Sequence, residues 1–228
     1  MQKDNHMKRF FDDNDTEYYS EQIHVVSKKH MLKYLKFAYR KPIKLLDVGC
    51  GLGYYVKDAL DEGCDAHGIE ISKRALLNAV PGVDGKLQYG SLTEIPFGNE
   101  QFDAVTCFDV IEHIKPSDTE QAIHELYRVL KPDGFLILTT PSMHFGNWVY
   151  NMSHINCRPE KFWDLMFSKF GFKVKMPYVP SFLKYYFNIS LPDSVAFKLE
   201  EPLRYLLGSY LTRKRGRLYM LARRMPAA

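Results

Sequence analysis

The residues best suited to binding a ligand are three alternating glycines, Gly49, Gly51 and Gly53, which directly follow a short apolar run over 43–48. Residues 54–60 resume at helical spacing, so the pattern predicts a strand, a tight turn and a helix. Glycine tolerates the positive φ that such a turn needs, and without a Cβ it lets a ligand lie against main-chain amides. We therefore expect this loop to form the floor of a nucleotide-like site.

Two carboxylates limit the kind of ligand. A dinucleotide fingerprint has the spacing G-x-G-x-x-G and sets a pyrophosphate on a helix N-terminus. Here the third glycine comes two residues after the second, and Asp47 stands two residues before the first. An anion so close to the loop disfavours a pyrophosphate and suits a cationic or zwitterionic ligand. Glu70 ends the next predicted strand, where a carboxylate can accept both hydroxyls of a ribose.

In this order the two elements resemble those of the class I S-adenosylmethionine-dependent methyltransferases, whose first motif is similar to residues 47–53 and whose second ends in an acid like Glu70. The F-D-x-V run at 102–105, the acid-x-x-E-H element at 109–113 and the L-K-P-x-G turn at 130–134 extend the resemblance. They are similar to the small-molecule branch that includes the ubiquinone-biosynthesis O-methyltransferases. The resemblance covers 43–140 well and 154–180 moderately, and it implies S-adenosylmethionine as the cofactor.

The resemblance also implies which residues hold that cofactor. Relatives commonly carry an aspartate for the adenine amino group after the third strand, where this chain has Ser91. The Ser91 hydroxyl can serve there and the Leu92 amide can serve the ring; the alternative for Ser91 is a turn-forming serine. Phe108 is expected beside the adenosine or methionine portion, and Asp47 is expected to order the glycine loop. The predicted cofactor-binding residues are Asp47, Gly49, Cys50, Gly51, Gly53, Glu70, Ile71, Ser91, Leu92 and Phe108.

Methyl transfer to a hydroxyl requires a base, and imidazole titrates near working pH. We predict His113 and His154 as catalytic residues, with a weaker case for His144. The alternative for His113 is packing or capping after the fourth strand, and for His154 it is orientation of its loop. Asp109, Glu112 and His113 also match a set that some ubiquinone-type relatives use for a divalent cation, with spacing that shares one helical face. No octahedral oxygen-rich set accompanies them, so we predict a structural role and no metal.

These residues must be positioned by a sheet whose strands alternate with helices, a pattern that predicts right-handed crossovers and parallel pairing. Strands are predicted at 43–48, 66–70, 86–90, 102–108, 135–140, 172–176 and 218–222, and the resemblance makes the last strand antiparallel. The fold class is therefore α/β: a Rossmann-like, doubly wound, mostly parallel seven-stranded sheet with a helical cap and insertion.

Helices are predicted from apolar spacing and capping residues. One is expected at 18–38. A second follows Ser72 and carries the apolar residues Ala75, Leu76, Ala79 and Val80, and a third follows a capping box of Ser117 and Glu120 and carries Ala122, Ile123, Leu126 and Leu130. A fourth is expected at 158–170, with Phe162, Leu165 and Met166 on its apolar face. One domain overall is predicted, divided into an N-terminal helical cap (1–40), a cofactor-binding core (41–140), and a substrate-side loop, last strands and amphipathic insertion (141–228). Within the last part, 178–215 is expected to be a lid or a docking surface.

The composition of the chain limits where the protein is expected to act and what it is expected to contact. The 228-residue chain has a net charge of +4, with no apolar run of bilayer-spanning length and no secretory signal in its polar first residues. We predict a cytoplasmic protein whose four cysteines are free thiols. No acidic residue follows Pro202, whereas seven arginines and lysines do. We interpret this basic tail first as a solvated face. Contact with an anionic membrane or a lipid-linked substrate is the second interpretation, and contact with nucleic acid is the third.

The predicted function is methyl transfer from S-adenosylmethionine to a small or medium-sized, partly apolar acceptor, with oxygen as the favoured atom. An RNA (tRNA) methyltransferase and a non-catalytic S-adenosylmethionine-binding module are the alternatives. The spacing of the glycine loop opposes a nicotinamide dehydrogenase.

Overall fold

The computed structural model describes residues 42–141, 153–175 and 217–226, together with Leu32 and Leu35. The strands are β1 (Lys44–Val48), β2 (Asp65–Glu70), β3 (Leu87–Tyr89), β4 (Phe102–Phe108), β5 (Leu130–Pro141), β6 (Phe172–Lys175) and β7 (Arg217–Arg224). The helices are α1 (Tyr54–Asp61), α2 (Lys73–Leu77), α3 (Thr119–Val129) and α4 (Glu160–Lys169), and two short 3-10 turns, Ile111–His113 and Pro116–Asp118, lie between β4 and α3.

The seven strands form one sheet in the order β3-β2-β1-β4-β5-β7-β6. The first five are parallel, whereas β7 runs antiparallel to both β5 and β6. The predicted fold class is thereby confirmed, including the antiparallel last strand. Because the chain winds outward in opposite directions from β1 and β4, the carboxyl ends of these neighbours border the crevice where α/β sheets bind ligands.

Helices bury both faces of the sheet, so that every residue of β4 is buried. Trp163 and Phe167 of α4 pack with α3 on one face. Val56 and Ala59 of α1 lie on the other, together with Leu32 and Leu35. Leu32 and Leu35 belong to the helix predicted at 18–38. The rest of that helix lies outside the described residues, as do His144 and the insertion at 178–215.

Two helix boundaries differ from those predicted. α2 ends at Leu77, so Ala79 and Val80 lie beyond it, and the Val80 amide instead donates to the Leu52 carbonyl (2.9 Å) beside the glycine loop. The predicted capping box of Ser117 is wrong, because α3 begins at Thr119 after a 3-10 turn, and the Ser117 hydroxyl donates to Asp118 (2.9 Å).

Two predicted apolar faces also need correction. Leu130 is the first residue of β5, not part of the α3 face. On α4 the buried residues are Trp163 and Phe167, whereas Leu165 is 63% exposed. Trp163 and Phe167 are four residues apart, so they meet the core on one stripe of the helix.

The last two arginines of the basic tail make contacts within the domain. The Arg224 guanidinium donates to Glu100 (2.7 Å) and to the Leu130 carbonyl, and it lies over the Tyr127 ring, while Arg223 pairs with Asp133 (3.0 Å). Residues 202–216 lie outside the described part of the chain. All four cysteines are free thiols, as predicted. Within the described ranges no helix is both long and apolar enough to cross a membrane.

Candidate active site

The glycine loop leaves β1 with a backbone that only glycine adopts easily. Gly49, Gly51 and Gly53 have φ angles of 75°, 56° and 86°. The amides of Gly49 and Cys50 both donate to the Ile69 carbonyl, at 2.9 and 3.0 Å, which ties the loop to β2. Because the loop is held by its own main chain, its positive-φ turns are fixed before any ligand arrives.

Glu70 ends β2 directly against this loop, as predicted. Its carboxylate is 5% exposed and accepts the amide hydrogens of Gly51 (2.9 Å) and Ser72 (2.8 Å). Burial raises the pKa of Glu70, and the bonds from Ser72, Gly51 and Ile71 oppose that effect. An ionised carboxylate offers about four lone-pair positions. The three amide bonds therefore leave about one of these positions to accept a hydroxyl group of a ligand.

Asp47, Cys50 and Phe108 lie around the base of the loop. Asp47 is 2% exposed and accepts the Thr106 hydroxyl of β4 at 2.7 Å. Cys50 packs against Gly68, where a Cβ would meet its sulfur at 2.7 Å. The Phe108 ring, at the end of β4, meets Tyr55 of α1 edge-on with 5.2 Å between centroids. The bond to Thr106 ties Asp47 to β4, and the role of Asp47 in ordering the loop stays a prediction.

Ser91 and Leu92 follow β3 at the same edge of the sheet. The Ser91 hydroxyl accepts the Thr93 amide (3.2 Å) and shares a hydrogen bond with the Thr93 hydroxyl (2.9 Å). These are the contacts of a turn-forming serine, the alternative that the sequence left open. Leu92 is 4% exposed and packs into the core.

A clamp from α3 holds the segment that contains Ser91 and Leu92. Glu125 accepts the Ile95 amide (2.8 Å), while the Arg128 guanidinium donates to the carbonyls of Ile95 (2.9 Å) and Phe97 (2.7 Å) and to Glu125. The sequence analysis missed this clamp. The one local signal was an acid and an arginine three residues apart on a helix, which many exposed pairs share.

The two histidines predicted as catalytic residues come together. His113 lies in the 3-10 turn after β4, and His154 lies in the segment that precedes α4; their ring centroids are 4.9 Å apart. The Nδ1 atom of His113 is 3.1 Å from the Ser153 carbonyl. Burial, together with His154, lowers the pKa of His113 to about 4. His113 is therefore a neutral imidazole at neutral pH.

Asn156 joins the two segments that carry these histidines. Asn156 is 1% exposed, and its main-chain amide donates to the Glu112 carbonyl (2.9 Å). Its side-chain Nδ2 donates to the Ile111 carbonyl (3.2 Å) and to the Thr119 hydroxyl (2.9 Å). Such a side chain satisfies buried main-chain groups that no regular element pairs. Asn156 thus fixes the separation of the two histidines.

The acid, acid and histidine set suggested by spacing is not the group that the structure brings together. Glu112, His113 and His154 each place a nitrogen or carboxylate oxygen within 4.8 Å of the other two. Asp109 stands outside this group; it has a φ of 56° and accepts the Thr139 hydroxyl (3.1 Å). The reason is that residues 111–113 form a 3-10 turn, so the face expected of an α-helix does not exist.

Known proteins match this chain most clearly in its core. Residues 46–138 match the family described as a methyltransferase domain. A ubiquinone biosynthesis O-methyltransferase from Alkalilimnicola ehrlichii is 36% identical over 104 residues, which cover 42% of this chain and 41% of that protein. The chain spans less than half the length of the first curated relatives that it matches.

Solved structures share the fold over most of the chain. Phosphoethanolamine N-methyltransferase 2 of Haemonchus contortus, in complex with S-adenosyl-L-methionine, aligns with a TM-score of 0.58 and 19% identity, covering 86% of this chain and 52% of that chain. The 1,6-didemethyltoxoflavin-N1-methyltransferase of Burkholderia thailandensis aligns with a TM-score of 0.63 and 14% identity, covering 96% and 88%.

The fold, the glycine loop and the family match agree with one another. Residues 46–138 match a methyltransferase domain, and this match supports the class I S-adenosylmethionine-dependent methyltransferases as the class of this region. The cofactor of that domain is S-adenosylmethionine.

The residues at the carboxyl edge of the sheet fit this cofactor. The positive-φ turns of the glycine loop set its main chain at this edge, and Glu70 holds a buried carboxylate beside it. Asp47 adds a second carboxylate under the loop. S-adenosylmethionine carries a sulfonium, an ammonium and a ribose diol, and carboxylates suit all three groups.

Proposed function

We propose that this chain transfers the methyl group of S-adenosylmethionine to a hydroxyl oxygen of a small or medium-sized, partly apolar acceptor. The observation that carries the proposal is the pair of imidazoles, His113 and His154, with 4.9 Å between ring centroids. A hydroxyl loses its proton as it attacks, whereas an amine or thiol needs a base less. Two imidazoles beside the end of β4 are therefore what an oxygen acceptor requires.

The cofactor would be held by the ten residues predicted from the sequence. In this proposal the main chain of the glycine loop faces the cofactor, Glu70 accepts the ribose hydroxyls, and Phe108 lies beside the adenosine or methionine portion. Ser91 contributes through the segment that it caps, because its hydroxyl already bonds Thr93. S-adenosylmethionine supplies an activated methyl group, so the residues chiefly position the reactants, an effect worth about 7–11 kcal/mol in favourable intramolecular cases.

The tautomer of His113 fits the role of a base. If Nδ1 carries the hydrogen, it donates to the Ser153 carbonyl at 3.1 Å. Nε2 then keeps a lone pair that can accept the proton of the acceptor hydroxyl. Because burial and His154 lower the pKa of His113 to about 4, the imidazole is uncharged throughout the neutral range.

The name of the Alkalilimnicola ehrlichii relative supports oxygen as the acceptor atom. We include a cytoplasmic location in the proposal, with contact between the basic tail and an anionic membrane or lipid-linked acceptor as a further part that rests on the sequence pattern. Nucleic acid is less favoured, since Arg223 and Arg224 already pair with Asp133 and Glu100.

The test is transfer of a labelled methyl group from S-adenosylmethionine to a panel of phenols and alcohols, each paired with the corresponding amine, and to total tRNA. The expected result is a labelled ether, and a rate about 100-fold lower in His113→Asn, as for loss of a general base. His124→Asn is the matched control, because His124 is exposed on α3. Label in amines or tRNA alone, or none in any acceptor, would contradict the proposal.

A further inference from the structure

One buried hydroxyl near the carboxyl end of β5 has no partner among the described residues. The described ranges contain four buried threonines: Thr106, Thr119, Thr139 and Thr140. The hydroxyls of the first three bond, in that order, the side chains of Asp47, Asn156 and Asp109. Thr140 is 0% exposed, and within those ranges its Oγ1 atom makes no hydrogen bond.

A hydroxyl left in this state makes folding less favourable. Taking a hydroxyl out of water without a replacing hydrogen bond is unfavourable, and a valine of nearly the same shape would avoid that penalty. Buried polar groups in native proteins are nearly all hydrogen-bonded, and the exceptions are expected at functional sites. The Thr140 hydroxyl is therefore suited to bind a group that the fold itself does not supply.

Thr140 lies on the face of the sheet that α3 and α4 cover. Successive side chains of a strand point to opposite faces. Leu136 and Leu138 of β5 pack in the core with α3 and α4, whereas Ile137 packs in the core with α1. Thr140 continues the row of these two leucines toward the carboxyl edge. The 3-10 turn Ile111–His113 contacts β5 and joins the same core through its first residue, so Thr140 lies on the side of that turn.

Trp163 is a second unpartnered polar group on this face. It is buried in the first turn of α4, and its indole Nε1 atom makes no hydrogen bond within the part of the chain that the structure describes. Asn156 ties the segment before α4 to the turn after β4, so α4 starts from the same carboxyl edge. An indole N–H only donates, whereas a threonine hydroxyl donates or accepts. Both groups therefore suit an oxygen atom of a ligand.

We propose that the Thr140 hydroxyl determines acceptor specificity by hydrogen-bonding an oxygen other than the one that is methylated, and that the Trp163 indole donates to a ligand oxygen on the same face. This inference rests on the proposed function and narrows its acceptor class. The acceptor is a partly apolar hydroxyl compound that carries at least one further hydroxyl or carbonyl oxygen. Burial is no obstacle, because Asp47 and Glu70, which fit the cofactor, are buried as well.

Unfolding in urea tests whether the Thr140 hydroxyl is unpartnered in the fold. Thr140→Val is expected to unfold at the wild-type midpoint or above it, because no hydrogen bond is lost. Thr139→Val is the matched comparison and is expected to unfold below the wild-type midpoint, because the neighbouring hydroxyl donates to Asp109 at 3.1 Å. Equal lowering in both variants would overturn the inference, since Thr140 would then have a partner within the protein.

Acceptor recognition is tested with matched probes on the full chain saturated with S-adenosylhomocysteine. The probes are the three benzenediols and the three methylphenols, in which a methyl group replaces one hydroxyl at the same ring position. In calorimetric titration we expect one or more benzenediols to bind about 5- to 10-fold more tightly than the matching methylphenol, as for one hydrogen bond. Thr140→Val should abolish this preference, and Thr140→Ser, which keeps the hydroxyl, should retain it.

The indole protons give a separate readout at Trp163. The chain has two tryptophans, so labelling with 15N-tryptophan gives two indole signals, which Trp148→Phe assigns. We expect the preferred benzenediol to move the proton signal of the Trp163 indole downfield, because the N–H gains an acceptor. A Trp163 signal that does not move when this benzenediol is bound would overturn the role given to Trp163.

The same preference in wild type and Thr140→Val, or no preference for any benzenediol, would overturn the inference; the Thr140 hydroxyl would then be satisfied by an ordered water only. These measurements need no methyl transfer. Failure of the inference is therefore distinguishable from failure of the proposed function, which absence of label in every acceptor would show.

Discussion

Gly49 holds its positive φ in direct contact with the chain that leaves β4. Its φ is 75°, and a Cβ at this position would lie 2.3 Å from a methyl carbon of Val110. A side chain here would suffer both a left-handed backbone and an overlap that forces the Val110 side chain to move. The glycine therefore sets how closely the loop approaches the segment that carries Glu112 and His113.

Gly49→Ala is expected to lower the free energy of unfolding by about 2 kcal/mol or more, since backbone strain and overpacking add. Denaturant unfolding measures the loss. Gly63→Ala is the matched control, because Gly63 has a similar φ of 82° with nothing within 4 Å of its Cβ position. The double variant Gly49→Ala with Val110→Ala should relieve the overlap but not the backbone strain. Equal losses of unfolding free energy in Gly49→Ala and Gly63→Ala would show that Val110 does not constrain position 49.

His113 makes the stability of the protein depend on pH. Its pKa is about 4 in the folded chain, against a usual value of 6.5. Between these values the unfolded chain binds a proton that the folded chain does not, so stability falls as the pH falls from about 6.5 to 4. The full loss amounts to about 3 kcal/mol.

His113→Asn is expected to flatten this pH dependence of the unfolding free energy, measured by denaturant titration at pH 7, 6 and 5. His124→Asn, which removes an exposed histidine of α3, should leave the slope as in wild type. A slope that survives in His113→Asn would mean that other groups produce it.

Asn156 shows how a short segment between elements sets the geometry of the site. Three of its hydrogen bonds reach Ile111, Glu112 and Thr119, and none of these groups is within 35 residues of it in sequence. Without the side chain, the two histidine-bearing segments would lose the bonds to Ile111 and Thr119 and keep the main-chain bond to Glu112 and the His113–Ser153 contact. The donors and acceptors left buried would then be unsatisfied.

Asn156→Ala is expected to destabilise the fold by about 2–3 kcal/mol, as for buried groups left without partners. Its effect on kcat should exceed its effect on the affinity for S-adenosylmethionine. Asn78→Ala is the control, because the Asn78 side chain makes an exposed bond to Arg74. Equal unfolding midpoints for the two variants would rule out the role given to Asn156.

The Glu125–Arg128 clamp acts on the opposite side of the cofactor site. Arg128→Met is expected to weaken S-adenosylmethionine binding several-fold, because the segment after β3 loses its bonds at the Ile95 and Phe97 carbonyls. Calorimetric titration measures the affinity. Lys169→Met, which removes an exposed ion pair with Glu120, is the control; unchanged affinity in Arg128→Met would show that the clamp serves stability alone.

The sequence predicted the strands well because their signals are local. β4 was predicted with its observed bounds, and the Ser72 hydroxyl accepts the Ala75 amide (3.1 Å) as an N-cap should. The start of α3 was wrong, because a 3-10 turn at Pro116 competes with the capping box. Local propensity allows either the 3-10 turn or the capped helix start at this position, and packing of the chain decides between them.

The candidate site was predictable where one motif contains its own chemistry. The glycine loop and Glu70 are such motifs, and the structure joins them through the Gly51 amide. The clamp on the segment after β3 and the grouping of Glu112 with His154 depend on contacts between residues far apart in sequence. Sequence spacing does not predict contacts between such distant residues, so the clamp and the grouping of Glu112 with His154 are seen only in the folded chain.

The order of the sheet explains why these parts meet. With β1 and β4 adjacent at the centre, the loops after β1, β2, β3 and β4 open on one edge, and the segment before α4 returns to the same edge through Asn156. Most of the predicted cofactor-binding residues follow β1, β2 and β3, Phe108 ends β4, and His113 lies in the turn after β4.

The proposed function requires that this edge bind S-adenosylmethionine through the glycine loop and Glu70. The first measurement is calorimetric titration of the purified chain with S-adenosylmethionine and with NADH, using Glu70→Gln and, as control, Asp65→Asn at the exposed start of the same strand. We predict binding of S-adenosylmethionine and not NADH, weakened about 10- to 100-fold in Glu70→Gln by lost charged hydrogen bonds and unchanged in Asp65→Asn. Binding of NADH alone, or equal affinity in Glu70→Gln and wild type, would contradict the claim.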